Sequence, residues 1–318
     1  CVLKIQAFRR RVIHLKKTLS ALFVSLAMTG GVLESVFAQQ ASIDPARISD
    51  QPLSGSGGAV DATNWELSVS GGAFQRNVLG SASNFMFTAS VATPLPFISS
   101  DFGVQVDAGA GVYDGNFTSA AAGLHIFHRD SSTGLIGIYG DWAYVNPEHA
   151  GRVGIEAAIY NGPWSLDVLA GLQFGQHVES EFIDEVDLSY YFTENLRGSI
   201  GHRLISRGNV ANVSFEHLLS DIGYDGWSVF GEFEAGEDNY VAGFGGVRFA
   251  IGSTATTLID RDRGSNVQVR IPRNIASVTQ CGDLDVPRPA TSLRGEQSNL
   301  CASEAEINAV SSTGIVKN

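Results

Sequence analysis

The residues able to do acid–base or nucleophilic chemistry are spread through this chain without converging on one place. The histidines that follow the amino-terminal stretch, His125, His128, His149, His177, His202 and His217, fall in different apolar–polar runs or in the gaps between them. His125 and His128 are three residues apart, which suits one face of a helix; on a strand the two point to opposite sides. They read as structural or solvent-exposed groups. There is no Gly-x-Ser-x-Gly elbow and no His-Glu-x-x-His pair to bring a nucleophile or a metal to a base. Gly55-Ser56-Gly57-Gly58 has neither the preceding strand nor the following lysine of a phosphate loop, and it reads as linker. No enzyme, cofactor or metal site is expected. What recurs instead is charge at alternate positions. One parity carries the acids Glu66, Asp107, Asp141, Glu156, Asp167, Asp187, Glu216, Glu232 and Glu234 and the bases Arg152, Arg197, Arg203 and Arg248. Held on the inside of a closed sheet, such groups have two uses. They pair across the lumen and seal it, or they line a narrow aqueous path that the surplus of acids biases toward small cationic solutes.

The elements that would position these charges are strands. From Trp65 onward, runs of ten to thirteen residues alternate apolar and polar, at about 65–76, 82–93, 102–113, 116–128, 134–145, 150–161, 164–175, 180–192, 195–205, 209–219, 226–237 and 239–251. Side chains on a strand alternate with period two, so each run has an apolar and a polar face. In the sixth run Val153, Ile155, Ala157 and Ile159 oppose Arg152 and Glu156; in the seventh Trp164, Leu166, Val168, Leu172 and Phe174 oppose Asp167 and Gln173. The ninth is less regular, because His202 shares the parity of Leu196, Ile200 and Leu204. Gaps of mostly two to eight residues are too short for the crossovers that parallel strands require, so neighbours must be antiparallel. The fold expected is all-β: a closed antiparallel up-and-down transmembrane β-barrel of about 12 strands over residues 65–252.

Three features turn the apolar faces toward lipid. The runs are longer than the five or six residues usual in soluble sheets. Trp65, Phe102, Trp142, Tyr144, Trp164, Tyr190, Phe192, Trp227 and Phe249 sit near run ends on the apolar parity, where interfacial aromatic girdles belong. The polar parity carries ions of both signs, which a dry protein core would not accept unpaired. No uninterrupted apolar run reaches the roughly 18 residues of a membrane-crossing helix, which leaves strands as the spanning elements.

Residues 1–38 read as a cleaved signal peptide. Lys4, Arg9, Arg10, Arg11, Lys16 and Lys17 form the basic region, Leu19 to Val32 the apolar region, and Val36-Phe37-Ala38 the processing site. Removing them takes the basic residues from 21 to 15 and the acidic ones from 33 to 32, a net charge of −17. So acidic a chain is a poor match for phosphate backbones, and no nucleic-acid partner is expected. Residues 39–64, rich in Ala, Ser, Gly, Asp and Pro, read as a disordered linker.

In this light the chain, over roughly residues 1–252, resembles a bacterial outer-membrane β-barrel of the porin-like kind. The last run carries Gly246, Phe249 and Ile251, similar to the terminal-strand pattern that the barrel-assembly machinery reads in that family. The resemblance implies an outer-membrane location in a Gram-negative bacterium, lipid and the assembly machinery as partners, and both termini in the periplasm. The chain continues past this strand. Residues 253–318 are polar, with Asp260-Arg261-Asp262-Arg263 alternating in charge, a potential short helix over Ala302 to Val310, and a possible disulfide between Cys281 and Cys301. They read as a small, mostly irregular periplasmic tail; a plug inserted into the barrel is the less favoured reading.

Overall fold

The computed structural model of the protein describes residues 58–76, 80–113, 117–145, 148–175, 178–205, 208–237 and 240–271. The signal-peptide region, the cysteine pair and the 302–310 segment lie outside these residues. Among the described residues there are twelve strands: β1 (Asn64–Arg76), β2 (Gly80–Pro94), β3 (Phe102–Tyr113), β4 (Phe117–Asp130), β5 (Gly134–Val145) and β6 (Glu148–Asn161) make the first half. The second half is β7 (Trp164–Gly175), β8 (Val178–Thr193), β9 (Leu196–Ile205), β10 (Gly208–Leu218), β11 (Trp227–Gly236) and β12 (Val241–Ile251). Each strand pairs antiparallel with the next, and β1 pairs with β12, so the sheet closes on itself. The seam runs from Trp65 opposite Ile251 to Gln75 opposite Val241. Closure leaves no edge strand with unpaired backbone groups, a condition for a sheet in lipid.

Because the strand number is even, β1 begins and β12 ends at the same end of the barrel, here called the near mouth. The turns at this mouth are compact where backbone geometry permits. Gly162, at φ 53°, makes the β6–β7 reversal between Asn161 and Pro163 in a region that favours glycine. The β10–β11 connection is longer and contains a 3₁₀ turn at Leu219–Ile222. Gly252, at φ 85°, bends the chain sharply after β12.

The outer surface is apolar and the interior is polar, the reverse of a soluble barrel. Ile155 and Ile200 are each 61% exposed on the outside, with Phe85, Leu172, Phe182 and Val213 also exposed. Aromatic side chains concentrate at the two ends of this band. At the near mouth Trp164 packs on Tyr190 with ring centroids 4.6 Å apart, and Trp227 on Phe249 at 4.7 Å. Toward the opposite end, the far mouth, Trp142 stacks on His149 at 4.8 Å. Along β7 the outward aromatics Trp164 and Phe174 are ten residues apart. At about 3.3 Å per residue and about 40° of tilt this spans roughly 25 Å, the height of a barrel's lipid-facing band.

Candidate functional site

The inward positions read from the sequence lie inside the barrel, and most are joined into ion pairs. Glu216 on β10 is the hub. It receives Arg248 at 2.6 Å, Arg197 at 3.2 Å, Arg261, and the hydroxyl of Ser228 at 2.7 Å. Arg248 also reaches Glu66 at 2.9 Å. On the next strands Arg203 bridges Glu232, at 2.6 Å, and Glu234. Across the lumen Arg152 pairs with its cross-strand neighbour Asp141. Asp107 and Glu156 flank His125, whose Nε2 lies 3.0 Å from Asp107 and whose Nδ1 lies 2.9 Å from Glu156. Asp167 sits opposite Asp187 on the neighbouring strand, and Asn212 donates to Asp187 at 2.8 Å. Gly246, Phe249 and Ile251 lie in β12 at the seam with β1, Phe249 and Ile251 on its outer face.

Several interior groups were not picked out by the alternation. Glu185 shares the inward parity of β8 and takes Arg152 at 3.0 Å and Arg270 at 3.1 Å. The His125 ring is fully buried and sits inside the charged network rather than apart from it. His202 keeps the apolar parity of β9, pointing outward, where Asp184 and Asn209 partner its two ring nitrogens at 3.0 Å each. An outward polar chain near the far mouth satisfies that exception to the pattern.

The largest correction concerns the segments flanking the barrel. Residues 58–63 are not a disordered lead-in: Ala59 and Val60 are buried with Ala92, Phe127 and Val267, and the Ala59 N–H donates to Ser100 O at 2.8 Å. Residues 258–271 are not a tail beside the barrel: they enter it. Helix α1 (Leu258–Gly264) closes the near mouth. Its N-cap Thr257 accepts from the Asp260 N–H at 3.2 Å, and Arg261 and Arg263 occupy its last turn, where the helix dipole favours cations. Leu258 and Ile259 pack on Tyr191 and Leu218. Arg263 donates to the carbonyls of Gly162 at 2.9 Å and Trp164 at 2.7 Å, its guanidinium 5.0 Å from the Tyr160 ring centroid.

Beyond the helix the wall binds the backbone of the chain. The Gln105 amide donates to Val267 O at 3.1 Å and accepts from Val267 N at 2.9 Å, so the side chain substitutes for a strand partner. Arg129 donates to the carbonyls of Ala59, Ser265 and Asn266. Arg270 then joins Glu185 and Glu156 in mid-barrel. Taken together, the wall holds more acids than arginines, and the inserted Arg261 and Arg270 seat on wall carboxylates, while Arg263 seats on wall carbonyls and the inserted Asp262 takes Arg197 of the wall. Part of the acid surplus that suggested a cation path is a seat for Arg261 and Arg270.

A lipid-facing apolar exterior, two aromatic ends, full closure and a charged interior define the architecture. The chain folds as an outer-membrane-type β-barrel. No protein-family model matches it, and no curated protein does. Among solved structures it is similar to the KdgM porin, at 10% identity and a TM-score of 0.42 over 57% of this chain and 98% of that one. It is also similar to the outer membrane phospholipase (OMPLA) of Salmonella typhi, at 11% identity and 0.42, over 66% and 97% of the two chains. Omp33 of Acinetobacter baumannii is a third, at 8% identity and 0.39, over 59% and 99%.

Among the described residues a polar cavity of about 130 Å3 lies between the inserted segment and the wall, lined in part by Glu66, Arg152, Asp187, Arg197, Ser199 and Asn212. That is room for on the order of ten water molecules.

Proposed function

We propose that this protein is an outer-membrane barrel of a Gram-negative bacterium, folded with the help of the barrel-assembly machinery, and that it is closed at rest by its own residues 258–271. The observation carrying this reading is the seating of Arg261 and Arg270 on wall carboxylates, Glu216 for the first and Glu185 and Glu156 for the second. Of the two uses of inward charge, sealing is the better supported, because pairs and segment together occupy the lumen. The near mouth faces the periplasm in this reading. Conduction belongs to a state in which the segment has left. The carboxylates it vacates would then outnumber the remaining arginines and favour small cations over anions.

Planar-bilayer recordings on the full chain test this. The wild-type protein should be nearly silent. Arg261→Glu combined with Arg270→Glu turns both anchors into repulsions and should give steady openings with a reversal potential shifted toward that of the cation. A boiled-versus-unboiled gel comparison establishes that the variant is folded. Open channels of equal size in wild type and variant would overturn the closed-at-rest reading.

A further inference from the structure

We infer that the lumen binds one hydrated divalent metal ion, of the Mg2+ or Ca2+ class, between Asp167 and Asp187 with the Asn212 amide oxygen as a third donor. Such a site belongs to the barrel with its segment inserted and goes beyond the question of conduction.

The side chains lining the polar cavity include eight carboxylates against six guanidinium groups. Six of the carboxylates are held in ion pairs; Arg197, for one, is shared by Glu216 and Asp262, and Arg203 by Glu232 and Glu234. Glu66 takes Arg248, and Glu185 takes Arg152 and Arg270. The sixth guanidinium, of Arg263, is engaged by the carbonyls of Gly162 and Trp164. Among the described residues this leaves Asp167 and Asp187 with no cationic side chain at ion-pair distance. The two face each other on β7 and β8. Residues so opposed have Cβ atoms about 4.5–5.5 Å apart. Two buried carboxylates that close repel each other, and burial without a counter-charge is costly.

The same transverse row supplies a further oxygen. Asp187 faces Gly201 on β9, and Gly201 faces Asn212 on β10. A Cβ at Gly201 would stand 2.1 Å from Asp187 Oδ1 and 2.4 Å from Asn212 Oδ1. The missing side chain lets Asn212 reach across β9 and donate its Nδ2 to Asp187 Oδ1 at 2.8 Å. Asp187 Oδ2 and Asn212 Oδ1 remain buried without a hydrogen-bond partner, on residues each 3% exposed that line the cavity. Unsatisfied acceptors beside a deficit of two positive charges call for a cation. Among the described residues no three His, Cys, Asp or Glu side chains converge to cage a metal. Two carboxylates, an amide oxygen and water instead suit a hard ion that keeps part of its hydration shell. The cavity of about 130 Å3 has space for the ion and its waters.

Urea unfolding of the full chain in zwitterionic phosphocholine micelles tests this. Metal-free protein is refolded in EDTA, or with Mg2+, Ca2+ or Na+ at matched ionic strength, so that access to the lumen is not limiting. The wild-type midpoint should rise with Mg2+ or Ca2+ over Na+, and the gain should grow with the concentration of free ion. Asp167→Asn and Asp187→Asn keep the shape and remove one charge each. Either should raise the ion concentration needed for a given gain roughly ten-fold or more. In EDTA both variants should be at least as stable as the wild type, because the repulsion is relieved; a merely structural aspartate would give the opposite order. Glu237→Gln, at an exposed acid outside the cavity, should respond to the ions as the wild type does. No gain over Na+ in the wild type would overturn the inference, and so would equal gains in the wild type and both aspartate variants. A midpoint that follows pH and ignores both ions would show instead that the two carboxylates share a proton. None of these results bears on the closed-at-rest reading, which stands or falls on conductance. Each variant is checked for the folded band of an unboiled sample.

Discussion

Glu216 is where most of the interior electrostatics meet: one carboxylate, 1% exposed, serves Arg197, Arg248 and Arg261. Removing one member of a buried pair leaves a desolvated charge behind, typically at about 3–5 kcal/mol. Glu216→Gln keeps the shape and removes the charge from three guanidinium groups at once. It should cost about 3 kcal/mol, toward the low end because water reaches part of the lumen. The readout is urea unfolding of protein folded into lipid vesicles; a change below about 0.5 kcal/mol, the range of ordinary surface substitutions, would show that the three arginines find other partners. Glu216 itself was legible from parity, as were the other acids and bases of the inward face. Glu185 obeyed the same parity within β8 and was findable by that signal. His125, Gln105 and Arg129 were not, because a histidine, an amide or an arginine on an inward position reveals nothing of its partners. The partners of His125 lie on β3 and β6, and those of Gln105 and Arg129 include residues of the flanking segments, up to 162 positions away.

At the scale of elements, the strands were the most legible feature, since alternation reports which face meets lipid and needs no tertiary information. The predicted run 164–175 coincides with β7, 102–113 with β3 and 134–145 with β5. The inserted segment was illegible for the opposite reason. A chain that fills a polar lumen is itself polar, and Asp260-Arg261-Asp262-Arg263 reads the same in solvent as against a charged wall. Its burial appears only once β12 has closed onto β1 and Gly252 has turned the chain. The outward face of β6 gives a test of the lipid assignment that depends on depth. Arg at the bilayer midplane costs about 2–4 kcal/mol and near the interface about 0–1 kcal/mol. Ile155→Arg, in the middle of β6, should therefore destabilise the folded protein in vesicles by about 3 kcal/mol. Ile159→Arg, four residues nearer the near mouth, should cost under about 1 kcal/mol. Equal penalties at the two positions would mean that the apolar face does not meet a bilayer of that thickness.

For the molecule as a whole, the polar lumen and the seating of the inserted segment both depend on one junction, the pairing of β1 with β12. An open sheet would expose two edges of backbone groups to hydrocarbon, each unsatisfied group at a cost of several kcal/mol. It would also have no lumen able to hold residues 258–271 on all sides. The junction is long, continuous from Trp65 opposite Ile251 to Gln75 opposite Val241, with Val69 facing Val247 near its middle. Residues directly opposite on antiparallel strands have Cα atoms about 4.5–5.5 Å apart, within the range a disulfide spans. Val69→Cys with Val247→Cys, in the background lacking the native cysteines, should crosslink on mild oxidation. The product would be a covalent ring that persists after boiling and migrates faster than the linear chain until a reductant is added. A sheet that left β1 and β12 apart would show no oxidant-dependent shift, and with the junction would go the enclosed lumen in which residues 258–271 sit.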